Sequence, residues 1–287
     1  RLLMSLSRSQ KNSLFKFSCQ AVTAISLLVL VVLLYHIMKE GFAYLNFDFL
    51  NHFPSRRPSR AGIKLALFGS LWIMGLTAMI AIPVGVCTAL FLEEYTNRKN
   101  KWVKLVELNI SNLAGVPSIV YGLLGLTVFV RFLGMDRSLI AGALTLSLLI
   151  LPVIVVTTQG ALRAVPDAIR YGAYALGARR YHVVFGQVLP AAIPGIMTGV
   201  ILSMSRAIGE SAPLIMVGAL SFVAFTPESI TDPFTVLPVQ IYNWVGRPQE
   251  AFHGLAAAGI IVLLAVLFTF NIIAVFIREK FQRYKND

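Results

Sequence analysis

Two residues of opposite charge, Arg206 and Glu210, stand inside an otherwise apolar run from 191 to 222 of this 287-residue chain. A guanidinium stays charged at every physiological pH and presents a planar fork of donors that suits an oxyanion. A carboxylate four residues further along a helix lies on the same face and can neutralise it. Continuing that face gives Gly199, Ser203, Arg206, Glu210 and Pro213, a small and polar stripe walled by Ile, Leu, Met and Val. Ser203, Ser205 and Ser211 add hydroxyls that donate or accept secondary hydrogen bonds. The pattern permits a structural ion pair that locks this helix to a neighbour. It equally permits a polar path for an anion, in which Arg206 attracts the solute and Glu210 holds the arginine when no anion is present. Ser118 and Tyr121 in an earlier apolar run are further candidates for that path, with Tyr121 equally suited to packing a helix or anchoring at an interface.

The setting makes these charges costly. The chain is 57% hydrophobic and only 13% charged, with a mean hydropathy of +0.75, whereas soluble domains carry about 25% charged residues. Too few ionic groups exist to solvate a globule of this size, so the chain belongs in a bilayer. Cytosolic enzymes, secreted disulfide scaffolds and disordered tails are excluded together. Cys19 and Cys87 lie in apolar stretches without CxxC spacing, and the four histidines are scattered, so neither a disulfide nor a metal site is expected. Six stretches are long enough to cross the membrane as helices: 17–38, 64–91, 108–133, 138–160, 191–222 and 255–277. Their continuous apolar runs exclude the alternating strands of a β-barrel. The fold expected is therefore all-α and polytopic, with six transmembrane helices. Of 25 Lys and Arg and 13 Asp and Glu, only Arg206 and Glu210 fall well inside a span, where insertion scales put such a residue at about 2.5 to 3.5 kcal/mol.

Six spans place both termini on one side. Sixteen basic residues lie on that side, grouped as Arg1 to Lys16, Arg98 to Lys104, Arg163 to Arg180 and Arg278 to Lys285, against eight in the opposite loops. Retention of positive charge predicts cytoplasmic termini. The net charge of +12 is thus a topology signal, with no basic, aromatic-interleaved domain to suggest nucleic acid. The chain divides into an N-terminal segment (1–16), a first transmembrane helix with its extracytoplasmic loop (17–63), a core of five spans (64–277) and a cytoplasmic tail (278–287). No small-residue cleavage site follows the first span, which reads as a retained anchor. The Pro-rich stretch 223–254 suits a gate, a contact for an external protein or a packed loop.

The connection 163–190 is the longest on the cytoplasmic side. Pro166 and Asp167 start a short helix, small residues fill its middle, and Gly177 ends or bends it. Such an element either docks in a groove of a soluble partner or lies on anionic lipid, which Arg179 and Arg180 favour as well. Tyr171, Gly172, Ala173, Gly177, Leu189 and Pro190 have the spacing of the EAA loop, the coupling element of ABC-importer permeases. Two further strings, Gly115-Val116-Pro117-Ser118-Ile119-Val120-Tyr121-Gly122-Leu123-Leu124-Gly125 and Ser205-Arg206-Ala207-Ile208-Gly209-Glu210-Ser211-Ala212-Pro213-Leu214, are more specific. With them, residues 64 to 277 resemble the permeases of phosphate ABC importers, most closely the PstA type.

The resemblance implies a MetI-like helical core and a path shared with a homologous sister permease. It also implies phosphate as solute, an extracytoplasmic phosphate-binding protein, and a dimer of ATP-binding subunits docked on 163–190. ATP and magnesium belong to those subunits, and no cofactor is expected on this chain. No GxxxxGK[ST] phosphate cradle and no nucleophile with a positioned base exist here, so this chain is not itself expected to be an enzyme. One departure matters: Tyr171 stands where the family has Glu, which puts that contact with the ATPase in doubt and leaves Arg170, Arg179 and Arg180 as candidates for polar contacts. Sulfate and molybdate are tetrahedral dianions that one arginine does not distinguish from phosphate. A secondary anion transporter or channel would call for inverted halves, and spans one to three do not repeat as four to six.

Overall fold

The computed structural model describes residues 8–97, 99–219, 223 and 225–283, so the expected terminal segments and the end of the fifth predicted span, 220–222, lie partly or wholly outside it. The architecture is helical throughout the described residues. Helix α1 (Arg8–Gly41) leads through a short turn and α2 (Phe47–Asn51) into α3 (Lys64–Leu90). Helices α4 (Lys101–Leu113) and α5 (Ser118–Gly125) follow, then α6 (Leu139–Arg163), α7 (Asp167–Ala175), α8 (Arg180–Val183) and α9 (Leu189–Gly209). The chain closes with α10 (Ala212–Val217), α11 (Leu237–Val245) and α12 (Glu250–Arg283). Five helical runs are long and apolar enough to cross a membrane, or six if α4 and α5 count as one bent span.

Helix α6 is the axis of the bundle. Two thirds of its most apolar window is buried inside the subunit, against none for α1, and it packs on α3 and α9 above all. Helix α3 turns a stripe toward it, with Ile73, Met74, Ala81 and Ala89 all buried, the i, i+3/i+4 recurrence of a core-facing helix. Two of the hydroxyls that α6 buries are satisfied by its preceding turn, Thr145 donating to Ala141 O at 2.7 Å and Ser147 to Ala143 O at 2.7 Å. At one end α2, α11 and the start of α12 enclose Phe49, Trp244 and Phe252. The Pro-rich stretch contributes α11 and buries Phe234, Val236 and Trp244, so most of it is a packed part of the fold. At the other end Leu92, Leu162, Val165, Val183 and Val188 form a second cluster beneath the 163–190 connection.

Two of the expected spans are broken, each at a proline. The span expected at 108–133 is two helices meeting at 103°. Pro117 bars its predecessor from the helical region, and α4 stops before it with Ala114 as its last half-turn. The span expected at 191–222 ends instead at Gly209, where Glu210 is extended at ψ 121°. A continued helix would drive the Pro213 ring into the Gly209 carbonyl and leave that carbonyl without its donor. Pro213 sits in the first turn of α10, where a missing N–H is harmless. Pro83 and Pro152, by contrast, lie inside α3 and α6 without ending them. Below α9 the helix runs back through a π-helical turn, Val184–Val188, to α8. That wider turn absorbs the bond Pro190 cannot donate.

Candidate functional site

Arg206 lies in the last turn of α9, where the helix dipole favours a cation. Its Nε stands 3.5 Å from Glu210 Oε1, with the arginine side chain 43% exposed and the glutamate 18%. This is a loose pair made across the end of a helix, not along one face of a continuous span. Among the described residues Arg206 makes no second hydrogen bond, so most of its five donors are free for a solute. The short helix α10 folds back and packs on α5. A Cβ on Gly122 would come within 2.7 Å of Pro213 Cα and 3.0 Å of Met216 Cβ, so glycine there is what allows the close approach. Tyr121, next to it, is buried, and its hydroxyl donates to Leu113 O at 2.7 Å. The phenol thus braces the bend between α4 and α5 by adding a second donor to the Leu113 carbonyl, which also takes the Val116 N–H at 3.1 Å, while lying near enough to Arg206 to feel its charge. Ser118 and Ser211 are half-buried at the starts of α5 and α10.

The remaining serines of the expected path are engaged within the subunit. Ser203 is 1% exposed and donates to Gly199 O at 2.8 Å, inside the α9–α6 contact. Ser205 points to the other side and donates to Asn271 Oδ1 of α12 at 2.7 Å. The stripe therefore divides: Gly199 and Ser203 pack against α6, and Arg206 opens outward.

In the connection, α7 presents Tyr171, Tyr174 and Leu176 outward, Leu176 being 90% exposed, while Ile169, Ala173 and Ala178 pack against the cluster beneath. Gly177 has φ +80°. Its N–H bonds Tyr174 O at 2.9 Å and the Ala178 N–H bonds Ala173 O at 3.1 Å, a left-handed helix cap that favours glycine. Gly172, Arg179 and Pro190 are exposed and Leu189 is half-buried. Arg180 lies over the Tyr95 ring at 5.2 Å.

Arg170 corrects the expectation of a polar contact to a partner, because its guanidinium is committed inside the subunit. Nη2 meets Glu94 Oε1 at 2.7 Å and Leu162 O at 2.9 Å, and Nη1 meets Val165 O at 2.7 Å and Asp167 Oδ1 at 3.2 Å. Arg163 is arranged similarly, with Nε 3.0 Å from Glu93 Oε2 and Nη2 3.1 Å from Glu107 Oε1, to which Gln159 also donates at 2.9 Å. Sequence reasoning passed over Glu93, Glu94 and Glu107. Their signal was present: two adjacent acids end an apolar span, where the helix dipole disfavours them, so each needs a cation from elsewhere in the fold. Among the described residues no three His, Cys, Asp or Glu side chains are placed to hold a metal.

A bundle of apolar spans around one buried helix, with a half-open arginine at a broken span and a short exposed helix carried on the ends of two others, is the build of a membrane permease. Residues 81–283 match the family described as binding-protein-dependent transport system inner membrane component, and the chain belongs to that family. It is an ABC-importer permease subunit with the MetI-like fold. It is 35% identical over 269 residues to a probable ABC transporter permease, YqgI, of Bacillus subtilis, covering 89% of this chain and 90% of that one. It is 33% identical over 282 residues to the phosphate transport system permease PstA 1 of Mycobacterium tuberculosis, covering 96% and 91%. The crystal structure of a bacterial alginate ABC transporter, in complex with its pentasaccharide-bound periplasmic protein, has a chain of the same fold. Its TM-score is 0.67 at 16% identity, over 92% of this chain and 93% of that one.

Proposed function

We propose that this chain is a permease subunit of an ATP-driven phosphate importer in a bacterial inner membrane, with both termini cytoplasmic. It forms the translocation path with a homologous sister permease, receives phosphate from an extracytoplasmic binding protein, and is driven by a dimer of ATP-binding subunits that carry ATP and magnesium. The observation that carries the solute reading is Arg206, a half-exposed guanidinium held, among the described residues, only by Glu210 at 3.5 Å where α9 breaks. An oxyanion displaces so weak a partner readily, and the carboxylate then helps expel it. Relatives named as phosphate permeases support phosphate over other tetrahedral anions. Alternating access follows from force on α7 re-packing the spans around Arg206. The outward face of α7, with Tyr171 at the family's Glu position, docks through its aromatic and apolar side chains.

The experiment is uptake of labelled phosphate and, separately, sulfate in cells lacking the chain and regaining it as wild type or Arg206→Ala. Phosphate uptake restored by the wild type alone, with the variant complex still assembled, is the expected result. Normal uptake by Arg206→Ala rejects the path role, and restoration of sulfate uptake in place of phosphate rejects the solute.

A further inference from the structure

The connection after α6 is joined to the end of α3 by two arginines that take neighbouring acids. Glu93 and Glu94 lie on a single π-helical turn, Phe91–Tyr95, that finishes α3. Arg163, the last residue of α6, takes Glu93, and Arg170, on the second turn of α7, takes Glu94. Arg170 does more than pair. The same guanidinium donates to the carbonyls of Leu162, in the last turn of α6, and Val165, in the connection that follows, and to the carboxylate of Asp167 in the first turn of α7. One planar group thus ties three elements at a point where its own side chain is 12% exposed and Glu94 is 10% exposed.

We infer that Arg170 and Glu94 form the strut that makes α7, the C-terminus of α6 and the end of α3 one rigid piece, so that displacement of α7 reaches the bundle axis instead of being lost in a loose hinge. Arg170 is a positioning residue: it touches neither solute nor nucleotide. Only three residues, Ala164 to Pro166, join the two helices, and without the strut α7 could turn about them while α6 stood still. Lysine cannot replace the arginine, because a point ammonium on a flexible stem does not span acceptors on three elements with the fork of a guanidinium. The inference rests on reading α7 as the element that the ATPase drives, and it is independent of which solute is carried.

The test uses the assembled importer in lipid vesicles with its binding protein. Asn97 and Ala175 are both exposed; Asn97→Cys and Ala175→Cys, in a background with Cys19→Ser and Cys87→Ser, carry spin labels across the strut in complexes that retain binding-protein-stimulated ATP hydrolysis. The distance between the labels should stay the same, with one narrow distribution, in nucleotide-free and ATP-bound complexes. A change of several ångströms between those states overturns the inference without any variant of the strut having to fold. Glu94→Gln and Arg170→Lys should broaden that distribution and lower solute imported per ATP hydrolysed by at least about tenfold, the scale set by unpairing one member of a buried charge pair. An unchanged ratio of import to hydrolysis in assembled Arg170→Lys also overturns it. Wild-type import of some other anion, with the strut behaving as described, leaves this inference standing and rejects only the phosphate reading.

Discussion

Substituting Gly177 tests the cap of α7 without touching any packed surface. The residue has φ +80°, and a Cβ built on it meets no atom within 4 Å. Any cost of a side chain is therefore conformational, since no steric clash contributes. An ordinary L-residue in the left-handed region costs about 1 to 2 kcal/mol, which is a factor of roughly 5 to 30 between capped and frayed forms. Asparagine and aspartate tolerate that region better than alanine, and valine tolerates it worst. The order of damage should then run Gly177→Asn, Gly177→Ala, Gly177→Val. Hydrogen exchange of the peptide covering 167–180 in the assembled complex reads this directly, because the Gly177 and Ala178 amides are the ones bonded to Tyr174 O and Ala173 O. Exchange should quicken there by about the stated factor in Gly177→Ala, while amides of α6 keep their protection. Coupling of hydrolysis to import should decline in the same order. If asparagine, alanine and valine give equal exchange and equal coupling, backbone handedness at 177 is not what shapes the docking element, and the reasoning fails.

Gly122→Leu should force α5 from α10, since its Cβ would press on the Pro213 backbone. Overpacking of this kind costs about 1 to 3 kcal/mol, and thermal denaturation of the purified complex followed by size-exclusion should show a clear fall relative to wild type. Ser205→Ala removes the bond to Asn271 between α9 and α12, a loss of about 0.6 to 1.7 kcal/mol in a membrane bundle. It should lower thermal stability slightly and leave uptake intact, and abolished uptake with normal assembly would return Ser205 to the path.

The long spans were legible because hydropathy over a window needs no knowledge of neighbours. The expected 64–91 and 138–160 correspond closely to α3 and α6, and 17–38 and 255–277 fall inside α1 and α12. The breaks were not legible. Pro83, Pro152, Pro117 and Pro213 read alike in one dimension, yet the first two are spanned by their helices and the last two stand at breaks. The deciding fact is tertiary: Gly122 admits Pro213 only because α10 has turned back, and Tyr121 reaches back across the bend to bond Leu113 O. The pairing of Arg206 with Glu210 was visible in the spacing, but its looseness was not, since that follows from Glu210 leaving the helix. Arg170 stood with Arg179 and Arg180 as a candidate for a polar contact with the ATPase. Its inward commitment depends on Glu94, 76 residues earlier, and no local pattern reaches that far.

The unequal lengths of the helices bear on how such a chain is made. Helix α1 touches the bundle mainly along α12 and is apolar enough to enter a bilayer as a self-sufficient rod. Helix α10, with six residues, reaches only about 9 Å at 1.5 Å per residue, far short of a bilayer core of about 30 Å, and has bare peptide groups at its ends that lipid does not solvate. It cannot be handed to the membrane singly by the insertion machinery. The expected order of assembly is therefore hierarchical: the long rods are laid down first, and α10, which flanks Arg206, is seated afterwards against α5 and α6, so that the surroundings of the arginine are completed late.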